Sequence, residues 1–200
     1  MTREELYTYI QTSKRLGKTV EARAILDYDP WPPNKILEQS VDGSVEFRNM
    51  YFKIDSYDNI VLTYYHGKYA YLDLGTFVDI IGPLSFCENT TIKGIKSKSV
   101  KRIEKCAFED STLKYAQFNS VKIILHDAFK GAEIEFIDAP ELETVNAYAF
   151  WCSEHLKNIN APKLKNVTPK TFFGCNNLSK EFTDALARST GVDVARHIHR

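Results

Sequence analysis

Ala149-Phe150, Leu156-Lys157-Asn158-Ile159-Asn160-Ala161-Pro162-Lys163-Leu164-Lys165-Asn166-Val167 and Thr171-Phe172 follow one another along the chain. They enclose two apolar pairs, each three residues apart, between two steps from a small residue into phenylalanine. The same step occurs at Ser85-Phe86, Ala107-Phe108 and Ala128-Phe129, so that successive phenylalanines lie 22, 21, 21 and 22 residues apart. A period of this size marks stacked supersecondary units, and it has to be found before any local element is assigned.

Other positions keep step with phenylalanine. Five or six residues after each comes Ile92, Leu113, Ile134, Leu156 or Leu178. Three further on are Ile95, Ala116, Ile137 and Ile159, followed by Val100, Val121, Leu142 and Leu164, and then Ile103, Ile124, Val145 and Val167. Val78 and Ile81 stand in the last two columns one repeat earlier. One unit alone cannot bury these side chains, whereas stacked units place like residues above one another in continuous apolar ladders, with phenylalanine filling the wider end of each coil. Pro140 and Pro162 fall between the two apolar pairs, where the chain must turn and a missing N–H does no harm.

The stretch Leu156–Val167 with Ala149-Phe150, and Phe172-Phe173-Gly174-Cys175-Asn176-Asn177-Leu178, resembles the leucine-rich repeats of the BspA type. The resemblance covers about half of the chain. Of the four cysteines only Cys175 lies three places after its phenylalanine; Cys87, Cys106 and Cys152 are out of phase with it. What the resemblance implies is a right-handed solenoid with a sheet on one face and binding by that surface. It implies no particular ligand and no reaction.

The ends do not share the period. Residues 1–75 read as an N-terminal cap or small α+β region, 76–178 as about four and a half repeats of 21–22 residues, and 179–200 as a C-terminal capping helix and tail. Thr2 with Glu5 forms a capping box, and Leu6, Tyr9 and Ile10 share a face, which predicts a helix over Arg3–Leu16. Asp29-Pro30-Trp31-Pro32-Pro33 is a rigid connector. Val45–Ile54, Ile60–Tyr65 and Tyr69–Leu74 are rich in aromatic and β-branched residues and read as a three-stranded meander, its tyrosines forming core and sheet face. Ser179 caps a helix through about Arg188, Gly191 ends it, and Val192–Arg200 is a final strand or a loose tail. The expected class is thus mostly β with some α, a solenoid with unlike ends.

Lys+Arg and Asp+Glu number 26 each, so no net field draws the chain to nucleic acid or to an anionic membrane. No stretch approaches the roughly 18 apolar residues of a membrane span, and Met1–Arg15 carries Glu4 and Glu5 where a secretory leader would be apolar. The cysteines form no CxxC pair and read as reduced thiols. A cytoplasmic protein without cofactor is expected.

Candidate chemistry is sparse. His197 and His199 would share one side of a strand, a metal-compatible spacing, but no third ligand is nearby. Glu133, Glu135, Asp138, Glu141 and Glu143 crowd together with no intervening base and fall between ladder positions, as a solvated or partner-facing acidic patch. Lys93, Lys96, Lys98, Lys101, Arg102 and Lys105 make a basic patch; nucleic acid would need interleaved aromatics, and the acidic patch would repel its backbone. Walker, GxSxG and HExxH motifs are missing.

Residues flanking a ladder point outward. Around the column Ile95, Ala116, Ile137 and Ile159 these are Gly94 and Lys96, Tyr115 and Gln117, Phe136 and Asp138, Asn158 and Asn160. Two aromatics within a polar rim have the composition of an interface centre. The expected partner-binding residues are therefore Lys96, Tyr115, Gln117, Phe136, Asp138, Asn158 and Asn160. A second row comprises Arg102, Glu104, Ile123, Leu125, Thr144, Asn146, Asn166 and Thr168, in which Ile123 and Leu125 are the apolar anomaly. The leading expectation is a non-enzymatic protein-interaction module, an adaptor or inhibitor. The alternatives are nucleic-acid binding through Lys93–Lys105, and self-assembly through Ile123/Leu125 or an open end strand.

Overall fold

The protein was analysed as a computed structural model that describes residues 3–5, 7, 8, 11, 21–27 and 44–198, with side chains for all of these except 21–27, 44–49 and 197. Twelve strands are described: β1 Glu21–Asp27, β2 Ser44–Ile54, β3 Ile60–Tyr65, β4 Tyr71–Asp73, β5 Ile80–Ile81, β6 Gly94–Ser97, β7 Arg102–Ile103, β8 Tyr115–Phe118, β9 Ile123–Ile124, β10 Phe136–Asp138, β11 Thr144–Val145 and β12 Asn158–Asn160. Each coil contributes one short strand to each of two sheets, ordered β1-β2-β3-β5-β7-β9-β11 and β12-β10-β8-β6-β4. From β3 onward every pairing in both is parallel.

The register is the one the periodicity dictates. Leu72, Ile95, Ala116, Ile137 and Ile159 pair in sequence across the five-stranded sheet. Leu62, Ile81, Ile103, Ile124 and Val145 do the same across the other. All these side chains are buried, as are Ile92, Leu113, Ile134 and Leu156 and the column Val100, Val121, Leu142 and Leu164. Ala116 is the small member of its column. Phe118, two residues on and on the same inward face, supplies the missing volume, while Ser97, Ala139 and Ala161 occupy that place beside isoleucines.

Phenylalanine forms the spine. Phe86, Phe108, Phe129, Phe150 and Phe172 stack with ring centroids 4.8, 5.0, 5.2 and 5.4 Å apart and planes within 12°. Tyr65 joins the lower end at 5.4 Å, and Phe182 stands edge-on to Phe172 at 5.7 Å. Backbone bonds run alongside: the amides of Phe86, Phe108 and Phe129 each donate over 2.7 Å to the carbonyl of the residue before the next phenylalanine.

These turns require left-handed backbone twice per coil. Leu84, Cys106, Asp127 and Tyr148 form one column with φ of 59, 56, 56 and 60°. Glu88, Asp110, Gly131, Cys152 and Gly174 form another at 54, 52, 64, 55 and 79°. Most of these positions lack glycine, and the strain is offset by hydrogen bonds from the turn amides to the next coil, as from Glu88, Asp110, Gly131 and Cys152, each at 2.8 Å. Where a coil packs tightly glycine is used: a Cβ on Gly131 would lie 2.0 Å from Asp110 Oδ1. The out-of-phase cysteines are thus placed by the turn. Cys106 and Cys152 hold left-handed positions, and Cys175 occupies a third column in which Ser153 and Cys175 donate to the Phe129 and Phe150 carbonyls one coil back.

The expected meander is corrected. β2 and β3 do pair antiparallel, but Tyr71–Asp73 leaves that sheet to pair parallel with β6, and the third antiparallel strand is β1. β3 in turn pairs parallel with β5, so Ile60–Asp73 already runs as a coil, with Tyr65 in the phenylalanine column. A single sheeted face is likewise corrected to two. Of the helix expected over Arg3–Leu16, residues 3–5, 7, 8 and 11 are helical; the remainder, the connector Asp29–Pro33 and His199 lie outside the described residues. Arg3 is held by the buried carboxylate of Asp79 at 2.5 Å, which also accepts from the Ile60 amide at 2.9 Å.

A helix spans Lys180–Thr190, with the Ser179 hydroxyl accepting from the Phe182 amide and Gly191 left-handed at its end. Beyond it the described residues, which end at Ile198, form no strand. Ala195–Ile198 is a short helix with Val194 and Ile198 buried, and its Ile198 carbonyl takes the bond from the Gly174 amide that a further coil would have taken. Among the described residues no helix is long and apolar enough to cross a membrane.

Phe129→Ala removes a central ring with neighbours on both sides and should cost about 3–5 kcal/mol. A urea titration followed by circular dichroism should show the midpoint falling accordingly, and by less for Phe182→Ala at the end of the stack.

Candidate functional site

Parallel pairing without offset sets the outward residues of the five-stranded sheet in two rows. One holds Tyr71, Gly94, Tyr115, Phe136 and Asn158; the other Asp73, Lys96, Gln117, Asp138 and Asn160. All seven residues expected at an interface therefore lie on one face. Tyr71 and Asp73 belong with them, although the composition of Tyr69–Leu74 suits a meander; the match of Tyr71-Leu72-Asp73 to Gly94-Ile95-Lys96 is the sequence signal for their place.

The rows differ in character. Tyr115 and Phe136 are stacked with centroids 6.1 Å apart and planes 4° from parallel. Phe136 is 41% exposed, a large apolar surface held open to solvent. Lys157 Nζ sits over its ring, 5.5 Å from the centroid, while also donating to Glu135 at 2.7 Å. In the other row Asp138 is held from both sides: Gln117 Nε2 donates to one oxygen at 3.2 Å and Asn160 Nδ2 to the other at 2.7 Å. Lys96 lies 3.1 Å from Asp73, both largely shielded. A shallow depression of about 350 Å³ lies between the rows, floored by Ala116 and Ile137 and lined by Tyr115, Phe136, Asp138, Asn158 and Asn160. Its chemistry suits an apolar or aromatic side chain over the rings, with neutral hydrogen-bonding groups beside it.

The charged patches are not separate. Glu135, Glu141 and Glu143 meet Lys157, Lys163 and Lys165 of the next coil at 2.7, 2.6 and 3.5 Å. Within the basic group, Lys93 is 3.9 Å from Glu133, Lys101 3.5 Å from Asp79 and Arg102 2.6 Å from Glu104. Pairs this exposed add little stability, but they make the surface a mixture of both signs in place of a cationic stripe.

On the other sheet Ile123 is 36% exposed, half-buried Leu125 lies beyond inward-facing Ile124, and Thr144 accepts from Asn166 at 3.1 Å. Sequence reasoning missed an aromatic cluster at its corner. Trp151, 38% exposed, stacks obliquely on Tyr148 at 5.6 Å, with Lys130 5.4 Å from its ring and His126 edge-on to Tyr148. Tyr148 and Trp151 share one turn, whereas His126 and Lys130 reach them only through the coil register.

The four cysteines are free thiols. Burial, together with the hydrogen bond that its thiol donates to the Glu109 carboxylate, pushes Cys106 up to about 12; burial pushes Cys175 to about 12 as well. Cys152 is exposed, and its thiol is raised as well, first by partial burial and then by Glu154. Among the described residues no His, Cys, Asp and Glu group could hold a metal ion; the His197 side chain and His199 fall outside that statement.

Native alkylation at pH 8 followed by peptide mapping should modify Cys152 first and leave Cys175 unmodified until denaturant is added.

Residues 62–183 match the model of the BspA type leucine rich repeat region in six copies. Solved structures with a similar course include a leucine rich cell surface protein from Faecalibacterium prausnitzii A2-165, at 18% identity, TM-score 0.43, 66% of this chain and 52% of that one. The T. pallidum leucine rich repeat protein is similar at 15% identity and TM-score 0.43, over 70% and 92% of the two chains. The pneumococcal vaccine antigen PcpA is similar at 16% identity and TM-score 0.43, over 71% and 46%. The chain thus spans about half the length of the first and last of these. A search of the curated proteins finds no match.

Proposed function

Because the chain belongs to the BspA-type leucine-rich repeat family, we propose that it is a protein-interaction module whose recognition surface is the outward face of the five-stranded sheet. Repeat arrays of this kind generally serve protein–protein or surface binding. The observation that carries the assignment to this face is the Tyr115–Phe136 stack, parallel and open, set beside the Gln117–Asp138–Asn160 hydrogen-bonded row. Rigid aromatics supply contact area with few rotamers to freeze, and ordered polar neighbours present donors and acceptors without first having to be arranged.

The reading is non-enzymatic. Of the carboxylates that could have done acid–base work, Glu135, Glu141 and Glu143 are engaged by lysines of the next coil and Asp138 by the Gln117 and Asn160 amides, an arrangement that serves cohesion. An adaptor or inhibitor role follows from binding without reaction. Four free thiols, two of them buried, support a reducing compartment, for which the cytoplasm is our proposal. We further infer right-handed winding, a capping role for the helix Lys180–Thr190, and a start to the repeat array near Ile60 in place of residue 76. In this division the N-terminal unit is the helical residues with β1 and β2.

Affinity capture from the native host with the full chain as bait, analysed by mass spectrometry, identifies the partner. Tyr115→Ala/Phe136→Ala should then weaken it by about 2 kcal/mol or more, roughly 30-fold in Kd, with circular dichroism unchanged. Undiminished capture of every partner would remove this face from the assignment.

A further inference from the structure

The five-stranded sheet stops one rung before the chain does. Along it, each coil's ladder starts with an amide donating to the coil before: Lys114 to Lys93, Glu135 to Lys114, Lys157 to Glu135, and lastly Ser179 to the Lys157 carbonyl at 2.9 Å. The next three residues should be the sixth strand. They are instead the first turn of the helix Lys180–Thr190, which Ser179 caps, so β12 remains an edge.

The open groups on that edge are fixed by the ladder on its other side. Asn160 C=O accepts from Ala139 on the β10 side while Lys157 C=O accepts from Ser179 on the far side, so alternation turns Ile159 N–H, Ile159 C=O and Ala161 N–H away from β10. None of the three has a partner among the described residues. Between this edge and the helix runs a groove of about 490 Å³, floored by Ile159, Leu164, Phe182 and Leu186. Phe182, Ala185 and Ser189 line it on one helical stripe of about two turns, roughly 10 Å, the length of a three-residue strand.

We propose that this vacant rung is a second binding site, which takes an extended peptide segment of a partner protein by strand addition to β12. A donor–acceptor–donor row along a strand edge is complementary to an extended backbone. Alternation then sets the sequence chemistry. The central residue continues the Leu72, Ile95, Ala116, Ile137, Ile159 column and rests on Phe182 and Leu186, so it is aliphatic. Its neighbours project onto the outer face beside Asn158 and Asn160, so they are polar. Glu181, exposed at the groove rim, favours a Lys or Arg within reach. A second copy of this chain fits less well: its own β12 is flanked by its own helix, and the slot between strand and helix admits a lone segment. The site goes beyond the face-binding reading and stands without it.

The test is an amide-resolved NMR titration of the full chain with a capped peptide copying Lys157-Asn158-Ile159-Asn160-Ala161. Saturable shifts at millimolar peptide should centre on Asn158–Asn160 and Ala185–Leu186. N-methylating either the peptide's isoleucine amide or its two asparagine amides should weaken binding tenfold or more in one case only, since alternate amides face the edge. Ala161→Pro removes an edge donor that the β10 ladder does not use, and Ala185→Arg fills the groove while leaving the strand untouched; each should abolish the shifts. No shift at those amides, or equal sensitivity to both methylation patterns, overturns the proposal. So does a concentration-dependent dimer without peptide that Ala161→Pro dissolves, which would give the edge to a second copy.

Discussion

Everything in this molecule is keyed to the coupling between the phenylalanine stack and the backbone bonds beside it. Rings 4.8–5.4 Å apart match the 4.7–4.9 Å spacing of hydrogen-bonded strands, so side-chain stacking and main-chain pairing demand the same rise per coil. Both are satisfied only if every phenylalanine amide meets the carbonyl before the next phenylalanine. That condition fixes the contour from the first apolar column round to the next ring. Within it the intervals are constant, and the one residue by which units differ falls in the gap of five or six after phenylalanine, at the corner just past the second left-handed position. Length is free only where no ladder runs.

The same coupling explains why so much of the interior was legible. A period of 21–22 with several apolar columns leaves one stacking register, and the register fixes which residues are buried. What could not be read was where the array begins. Tyr65 performs the role of phenylalanine, and Leu72 that of isoleucine, but they stand in a stretch whose aromatic and β-branched composition suits an antiparallel meander equally well. Strand propensity is blind to the partner: Tyr71–Asp73 has the composition for pairing with β3, yet its partner β6 lies a coil away. The left-handed turns were hidden for a related reason. Cys106, Asp127, Tyr148 and Cys152 occupy positions where glycine would have been a visible signal, and the strain is carried by bonds to a neighbouring coil that no local window contains.

Charge follows the same geometry. In the sequence, Glu133–Glu143 and Lys93–Lys105 look like opposed patches. Once the coils are stacked, an acid and a lysine 22 residues apart become vertical neighbours, and Glu135, Glu141 and Glu143 each acquire one. On these coils charge is therefore balanced by local pairs. Asp138 is the exception that marks the face: both its oxygens are engaged by amides, Gln117 below and Asn160 above, which keeps the row beside Phe136 ordered without a countercharge.

The face itself was legible as a set of positions because a parallel ladder without offset carries outward residues into rows as faithfully as inward ones. Its chemistry was not fixed by the fold. Tyr71, Gly94, Tyr115, Phe136 and Asn158 share one environment in the ladder and have little else in common, while their inward neighbours Leu72, Ile95, Ala116, Ile137 and Ile159 are all aliphatic. The core constraint thus stops at the Cα of each strand residue, and what projects outward can vary at small cost to stability. The termini obey a different rule: an array that must end has to satisfy its last rung somehow. Here Ile198 answers the Gly174 amide and Phe182 closes the ring stack, but the helix that supplies Phe182 cannot also supply a strand. Closing the stack and leaving β12 open are one structural decision. Its consequence is an unpaired strand edge beside an ordered apolar helix face.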